Sequence, residues 1–475
     1  MANLCKIYLN DTEYINLTAY PYHVSDMTSN APDTRTARDA FSFAHGEVVL
    51  YARYSNVTEE YTIIVAGATN DEVNTNLDKL EISIREVIAA INDYGDKVWI
   101  YSQPDGVALT YRSPILSASV VGVESRLHEA SDFLLASATY PHAKYTIVKL
   151  VFERAYYWES TVETNLPLSS TDGGTDVTTG LQCCNIDTGA TSGPVNNINI
   201  KAAHVLYGSL PSPARIRILS TVAATEMNRV IISHNAYGTP SDLTYWYEAE
   251  DGTRHAGVTK VAAAGTSNDY RAEINHNDST EHTDITIILT GAQLKKWNGR
   301  WCKIFLLLSG TPHPAYMRVQ LSQGSVNYYT SDWIIPDLHG YTDMATIMLP
   351  PGPAGGFEPD PVDLNIQTKC YGLTEIYVDA VILLPCGETD GYCELSTSYY
   401  APSTYDHVVV IDGPQEMCYT INSDLNTGAY PNLVLVGPYP MIVPNKAQRF
   451  VITTYGTYEH YYTVWIGYRE RRLKI

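Results

Sequence analysis

The stretch KYTIVKLVFE, residues 144–153, decides how this chain is read. Ile147, Val151 and Glu153 fall on one face of an extended segment, and Val148, Leu150 and Phe152 on the other. A period of two without Gly or Pro predicts a strand. Similar runs stand at 4–9, 47–54 (EVVLYARY), 61–68 (YTIIVAGA), 97–102 (KVWIYS), 107–112 and 114–123. Gln103-Pro104-Asp105-Gly106 predicts a hairpin turn. Among these strands one helix is predicted over about 71–93, because Val73, Leu77, Leu80, Ile84, Val87, Ile88 and Ile91 recur at steps of three and four. Thr69 followed by Glu72 forms a capping-box signature, and Gly95 supplies a stop. Residues 1–160 therefore read as a strand-rich α+β assembly unit, split-barrel-like, with its helix packed on the sheet. Residues 24–46 read as a long polar excursion.

Beyond it, the low-complexity run SSTDGGTDVTTG makes 166–196 a flexible linker. From 197 to 390 short strands follow one another, among them ARIRIL (214–219), LTYWYEAE (243–250), TDITIIL (283–289) and KIFLLLS (303–309). Turns between them recur at the spacing of an antiparallel β-sandwich, jelly-roll-like. The segment PPGPAGGFEPDP (350–361) reads as a loop, and 391–475 as a further antiparallel region, which at ~80 residues is marginal as an isolated core and is expected to complete a sheet begun elsewhere. The fold class expected is mainly β.

Composition supports that expectation. The chain of 475 residues holds 37 Tyr but 7 Phe, with 31 Gly and 25 Pro. Tyrosine suits a half-buried pleated surface and amphipathic contacts. The 31 basic residues face 52 acidic ones, a net charge of −21, which argues against specific nucleic-acid binding. No run approaches the ~20 apolar residues of a membrane span, and the N-terminus lacks the pattern of a secretory signal. The eight cysteines form no C-x-x-C pair; buried thiols are the expectation, with Cys386 and Cys393 close enough in sequence to bridge in an oxidising setting.

No nucleophile elbow, H-E-x-x-H motif or Gly-rich phosphate loop is present. The densest cluster of metal-ligating residue types is His276-Asn277-Asp278-Ser279-Thr280-Glu281-His282 with Asp284, yet its spacing matches no recognised site, and neither metal nor cofactor is expected. Trp246 with Glu248 and Glu250 on one strand, and Trp301 nearby in sequence, are the candidates for contact with a sugar: Trp246, Glu248 and Trp301 as contacts, and Glu248 and Glu250 as the pair a hydrolase would need. Arg35 and Arg38, and the basic end Arg469, Arg471 and Arg472, are candidate contacts to a neighbouring subunit, since complementary potentials fix register.

The order of parts, with KLVFERAYYWE (149–159), DHVVVIDGP (406–414), PYPMIVPNKAQRFVI (438–452) and the terminal VWIGYRERRLKI (464–475), resembles distal tail proteins and related minor tail proteins of long-tailed bacteriophages. The central sandwich looks like the carbohydrate-binding-module insertions that some relatives carry. Glu470 stands where such endings often have Pro. The resemblance implies a virion structural protein, without catalytic residues, assembled in the host cytoplasm into a ring, a hexamer by expectation. That ring would join tail tube to tip, touch other tail proteins and present outward sandwiches to host-surface glycans. Three readings stand beside it: a carbohydrate-binding protein outside any particle, a capsid decoration protein, and a tail-spike-type glycoside hydrolase.

Overall fold

The computed structural model describes residues 4–29, 32, 34–40, 47–94, 97–103, 108–123, 128–129, 144–171, 174–185, 196–205, 207–220, 229–235, 245–263, 266, 269–276, 278–297, 299–309, 315–336, 339–350, 358–370, 374–386, 392–396, 407–422, 430–431, 433–454 and 461–473. The chain is mainly β, in several antiparallel sheets, as expected. It divides into two compact units. The first holds residues 1–163 with 208–210 and 469–475; the second holds 164–207 and 211–468.

In the first unit the sheet runs Thr12–Asn16, Leu4–Leu9, Val98–Gln103, Tyr111–Val123, Lys144–Arg154, Val57–Gly67, Tyr22–Ser29. Lys144–Arg154 is central, paired on both sides. Its Val148, Leu150 and Phe152 are fully buried, while Ile147, Val151 and Glu153 are half-buried, as the alternation predicts. The helix Asn70–Ala89 lays Leu80, Ile84 and Val87 on that core. Thr69 Oγ1 accepts the Glu72 N–H at 3.2 Å, and Glu72 Oε2 accepts the Ala68 N–H at 2.8 Å. The close approach of Gly67 makes this entry possible: a Cβ there would stand 2.6 Å from the Val73 nitrogen. The helix ends in a π-turn, Ala90–Tyr94; the expected stop at Gly95 and the turn at 104–106 lie outside the described residues.

One expectation for this unit is corrected. Part of the excursion 24–46 is strand: Tyr22–Ser29 pairs with Val57–Gly67, and Thr34–Ala40 pairs with Glu47–Tyr54. Ser29 faces Glu59, and Thr34 faces Tyr54 in a separate two-stranded ribbon. Short polar side chains such as Ser and Thr hid it, since they are compatible with both loop and exposed strand. The basic end takes part in the sheet of this unit. Arg471–Arg472 adds a strand to Trp158–Ser160, which pairs in turn with Tyr111–Arg112. Glu159, fully buried, meets Arg112 at 3.1 Å and Arg471 at 3.1 Å. Tyr111 donates its hydroxyl to Glu470 at 2.5 Å, and Arg472 pairs with Glu470 at 3.1 Å. Arg471 and Arg472 are thus engaged within their own unit.

In the second unit, the presumed linker is ordered where described. Leu166, Leu168 and Cys183 are core residues, and Leu181–Cys184 pairs with Tyr461–Tyr468. Position 390 is no sheet boundary either. One sheet runs Thr164–Asn165, Tyr461–Tyr468, Ser212–Ser220, His407–Asp412, Met417–Asn422, Tyr430–Pro431; its partner runs Asn197–Ile200, Gln448–Thr454, Arg229–Asn235, Tyr392–Ser396, Val434–Val436. The C-terminal strands therefore complete a sandwich begun near residue 164, because neither set alone could cover its apolar face.

Between Arg229–Asn235 and Tyr392–Ser396, which pair antiparallel, a second sandwich is inserted. Its sheets are Val258–Ala262, Tyr270–His276, Thr374–Pro385, Trp301–Ser309, His339–Met348, with Tyr245–Glu248 also on Thr374–Pro385, and Thr253–Arg254, His282–Leu289, Val362–Cys370, Ala315–Gln323, Val326–Thr330. Each sandwich has its own core. A third apolar cluster joins them: Phe305, Leu307 and Ile382 meet Cys184, Ile231 and Val451. Arg229 grips Glu394 through Nε at 2.6 Å and Nη2 at 2.7 Å, and donates to the Tyr341 carbonyl at 2.8 Å. Each fully buried aliphatic or aromatic side chain in such a layer is worth about 1.5–3 kcal/mol. All eight cysteines are free thiols; Cys386 and Cys393 do not bridge.

Candidate functional site: an acidic aromatic groove

On the inserted sandwich, Tyr245–Glu248 pairs with Thr374–Pro385, Trp246 facing Ile382 and Glu248 facing Ala380. Alternation sends Tyr247 toward the sandwich core and Trp246 and Glu248 to the other face. Glu248 Oε1 accepts the Trp246 indole N–H at 3.1 Å, which holds the carboxylate beside the ring. After Glu248 the chain makes a single turn, Ala249–Asp251, and enters the opposite sheet as Thr253–Arg254. That short strand covers only Ile285 and Thr286 of its neighbour. A groove of about 440 Å³ opens where the two sheets diverge, with Trp246, Glu248, Asp251, Thr253, Thr286 and Ile288 in its wall. Gly252 permits the tight crossing, since a Cβ would stand 2.8 Å from Ile285 Cγ2. Ile288 is half-exposed in the groove.

Charge gathers at the turn. Lys260 Nζ lies 3.0 Å from Asp251 and 3.6 Å from Glu250. Glu250 is buried, and neither of its oxygens accepts a hydrogen bond. Burial pushes its carboxyl above the usual carboxylate range, with Lys260 opposing. The structure thus brings Trp246 and Glu248 together in one groove wall, and leaves Trp301 out of it. Trp301 begins the strand Trp301–Ser309, opposite Met348, and both side chains are about half-exposed. Asp251 and Ile288 escaped the sequence reading, because only the crossing at Gly252 brings them to the groove.

The histidine cluster takes a different form from a metal centre. A bulge between Thr283 and Ile285 turns Asp284 inward, fully buried, where it meets His276 Nε2 at 2.6 Å. His282 stacks on His276, ring centroids 3.9 Å apart and 8° from parallel, and its Nε2 meets Asp278 at 2.7 Å. Hydrogen bonds from Thr280 and His282 hold the Asp278 carboxyl down at about 2. Each imidazole is spent on a carboxylate, and among the described residues no group of three or more His, Cys, Asp or Glu converges on one point. Asn277 lies outside the described residues.

Of the candidate subunit contacts, Arg35 faces Arg53 and Arg38 faces Val49 on the ribbon. Arg469 is half-buried at the start of the C-terminal return that Arg471 and Arg472 complete. Among the described residues, no helix is long and apolar enough to cross a membrane.

No family model matches the chain, and no curated protein matches it. Among solved structures it is similar to the Dit (gp 19.1) protein of phage SPP1, described as a paradigm of the hub adsorption apparatus in phages infecting Gram-positive bacteria. That match has 9% identity over 98% of this chain and 99% of that one, at a TM-score of 0.29. It is similar also to a chain of the phage p2 baseplate in its activated conformation, at 9% identity over 80% and 98%, TM-score 0.24. An exo-β-1,3-galactanase from Phanerochaete chrysosporium matches at 10% identity over 62% and 79%, TM-score 0.21.

Proposed function

We propose that the chain is a self-associating structural component of a phage tail, a ring-forming hub or minor tail protein that does not catalyse a reaction. One observation carries the self-association. Thr34–Ala40 and Glu47–Tyr54 form a two-stranded ribbon, and among the described residues no third strand pairs with it. A two-stranded ribbon is marginally stable alone in water, so this one acquires its stability on another surface. A closed ring of copies supplies such a surface at every subunit. The tail assignment rests on the element order and the quoted phrases at both ends of the chain.

Native mass measurement and negative-stain imaging test this reading. The full chain is expected to form a closed ring. A variant with residues 34–54 replaced by a short turn is expected to stay folded and monomeric. A full chain that is monomeric at every concentration overturns the proposal, and so does an unchanged ring without the ribbon.

The groove favours a second, compatible reading, in which the inserted sandwich holds a sugar against Trp246. Binding of oligosaccharides on a glycan array, lost on Trp246→Ala, is the expected result; an array blank for the intact chain removes it.

A further inference from the structure

Two short stretches that close the first unit are extensions of strands whose places are fixed in the second. The Arg471 carbonyl accepts the N–H groups of Ser209 at 2.8 Å and Leu210 at 3.2 Å, and the Leu473 N–H donates to Ser209 Oγ at 3.1 Å. These stretches, 208–210 and 469–475, belong to the first unit. Yet the one runs into Ser212–Ser220 and the other out of Tyr461–Tyr468. Those strands form a ladder of the second unit, from Ala214 opposite Tyr468 to Ser220 opposite Tyr462. Ile216, Ile218 and Val464 of the ladder are fully buried in the core of the sandwich begun near residue 164. Residues 1–163 without the two stretches lose contacts that their own sequence does not replace. Glu159, fully buried, would keep Arg112 but lose Arg471. The Tyr111 hydroxyl would lose the Glu470 carboxylate, and the Ser160 N–H its acceptor, the Glu470 carbonyl at 2.9 Å. Trp158–Ser160 would also lose the strand Arg471–Arg472 and stand as a bare edge. A buried carboxylate stripped of one counter-charge and backbone groups without partners both disfavour the closed form.

We infer that the stretches 208–210 and 469–473 act together as a strap that makes closure of the first unit conditional on folding of the second. The ladder between Ser212–Ser220 and Tyr461–Tyr468 brings Leu210 beside Arg471. Docking then orders one preformed pair, which loses less conformational entropy than ordering two free segments. The control is local. Val148–Phe152 is paired on both sides by strands within residues 57–154 and needs no part of the strap. A chain synthesised only as far as residue 460 therefore carries a first unit with a formed core and an unfinished edge. This control operates whether or not copies of the chain form a ring.

Amide hydrogen exchange on the full chain tests the strap, with the Ser160 amide as the probe and Val148–Phe152 as the reference in the same unit. Ile216→Ala, in the ladder of the second unit, is expected to accelerate exchange at Ser160 and in Ser212–Ser220 by a common factor, roughly thirtyfold. Val148–Phe152 is expected to keep its protection. Leu364→Ala, in the core of the inserted sandwich, is expected to leave Ser160 unchanged. Pulse labelling during refolding of the unsubstituted chain gives a second measurement that needs no variant. There Ser160 is expected to gain protection at the rate of Tyr461–Tyr468, after Val148–Phe152. Ser160 protection untouched by Ile216→Ala, or established before that of Tyr461–Tyr468, overturns the strap. An equal response of Val148–Phe152 to Ile216→Ala, or of Ser160 to Leu364→Ala, marks a chain that opens as a whole and overturns it too.

Discussion

Replacing Glu159 by Gln is the sharpest test of how the first unit is held together. The side chain is fully buried and shared by two guanidiniums: Arg112 Nη2 at 3.1 Å from Oε1, and Arg471 through Nε at 3.2 Å and Nη2 at 3.1 Å from Oε2. Both arginines are themselves packed on rings, Arg112 over Trp99 at 4.0 Å and Arg471 over Tyr157 at 3.8 Å. Gln keeps the shape but removes the charge, and turns an amide donor toward one guanidinium. The remaining counter-charge for Arg112 is Asp11 at 3.2 Å, which is largely exposed and therefore screened. Breaking a buried pair by removing one partner costs about 3–5 kcal/mol. For a unit of this size that lowers Tm by roughly 6–20 °C.

The assay is denaturant unfolding followed by amide exchange in Tyr111–Val123 and Trp158–Ser160, which reports on this unit alone. Arg471→Met is expected to cost less, about 1–2 kcal/mol, because Arg112 still neutralises Glu159. The double variant is expected to fall short of the sum of the two. A loss below about 1 kcal/mol for Glu159→Gln, or strict additivity with Arg471→Met, refutes the view that this carboxylate closes the unit.

Acid is expected to destabilise the first sandwich through His234, whose burial pushes the imidazole down to about 4, with the Gln448 hydrogen bond opposing. The unfolded state then binds the extra proton first, so stability is full above about pH 6.5 and falls by about 3 kcal/mol as pH drops to 4. A His234→Gln variant whose stability has the same pH slope in that window contradicts the assignment. Thr69→Ala removes the N-cap acceptor of the helix and is expected to cost about 1 kcal/mol, read by the denaturation midpoint. Arg229→Lys loses the two-pronged grip on Glu394 and the bond to the Tyr341 carbonyl. A loss of about 1–2 kcal/mol in the second unit is expected by urea titration, against no change if the grip is a surface pair.

Elements governed by local alternation were legible in the sequence. The strand around Leu150, the helix stripe from Val73 to Val87 and the Thr69 cap stand where periodicity puts them. Charges inside strands were not. Glu59 and Arg154 meet at 2.7 Å in full burial, and the Tyr61 hydroxyl donates to Glu59 at 2.7 Å. A signal was present, since Glu59 shares a face with Tyr61 and Ile63. Its reading required the partner strand, however, because a buried carboxylate is tolerable only beside its cation. Which strands the C-terminal region would pair with was illegible for a related reason. Residues 391–475 look like a separate set of strands until pairing sends Tyr461–Tyr468 beside Ser212–Ser220. Sequence proximity carries no information about such distant pairing. The groove was half legible: the strand phase put Trp246 and Glu248 on one face, but exclusion of Trp301 followed from sheet geometry.

The insertion itself explains how a second sandwich can be added without disturbing the one that bears it. Ser233 and Tyr392 are cross-strand neighbours, so the inserted chain leaves and returns at one point of an existing ladder. Closing that loop adds little entropy cost for its length, since the penalty grows only logarithmically. An added domain on two strands alone would swing. Here Phe305, Leu307 and Ile382 bury against Ile231 and Val451, and Trp246 packs edge-on to Tyr341 at 6.4 Å on that same face. One residue thus lines the groove and abuts the layer joining the sandwiches. A load placed on the groove wall passes through Trp246 into packed side chains, and not into a hinge.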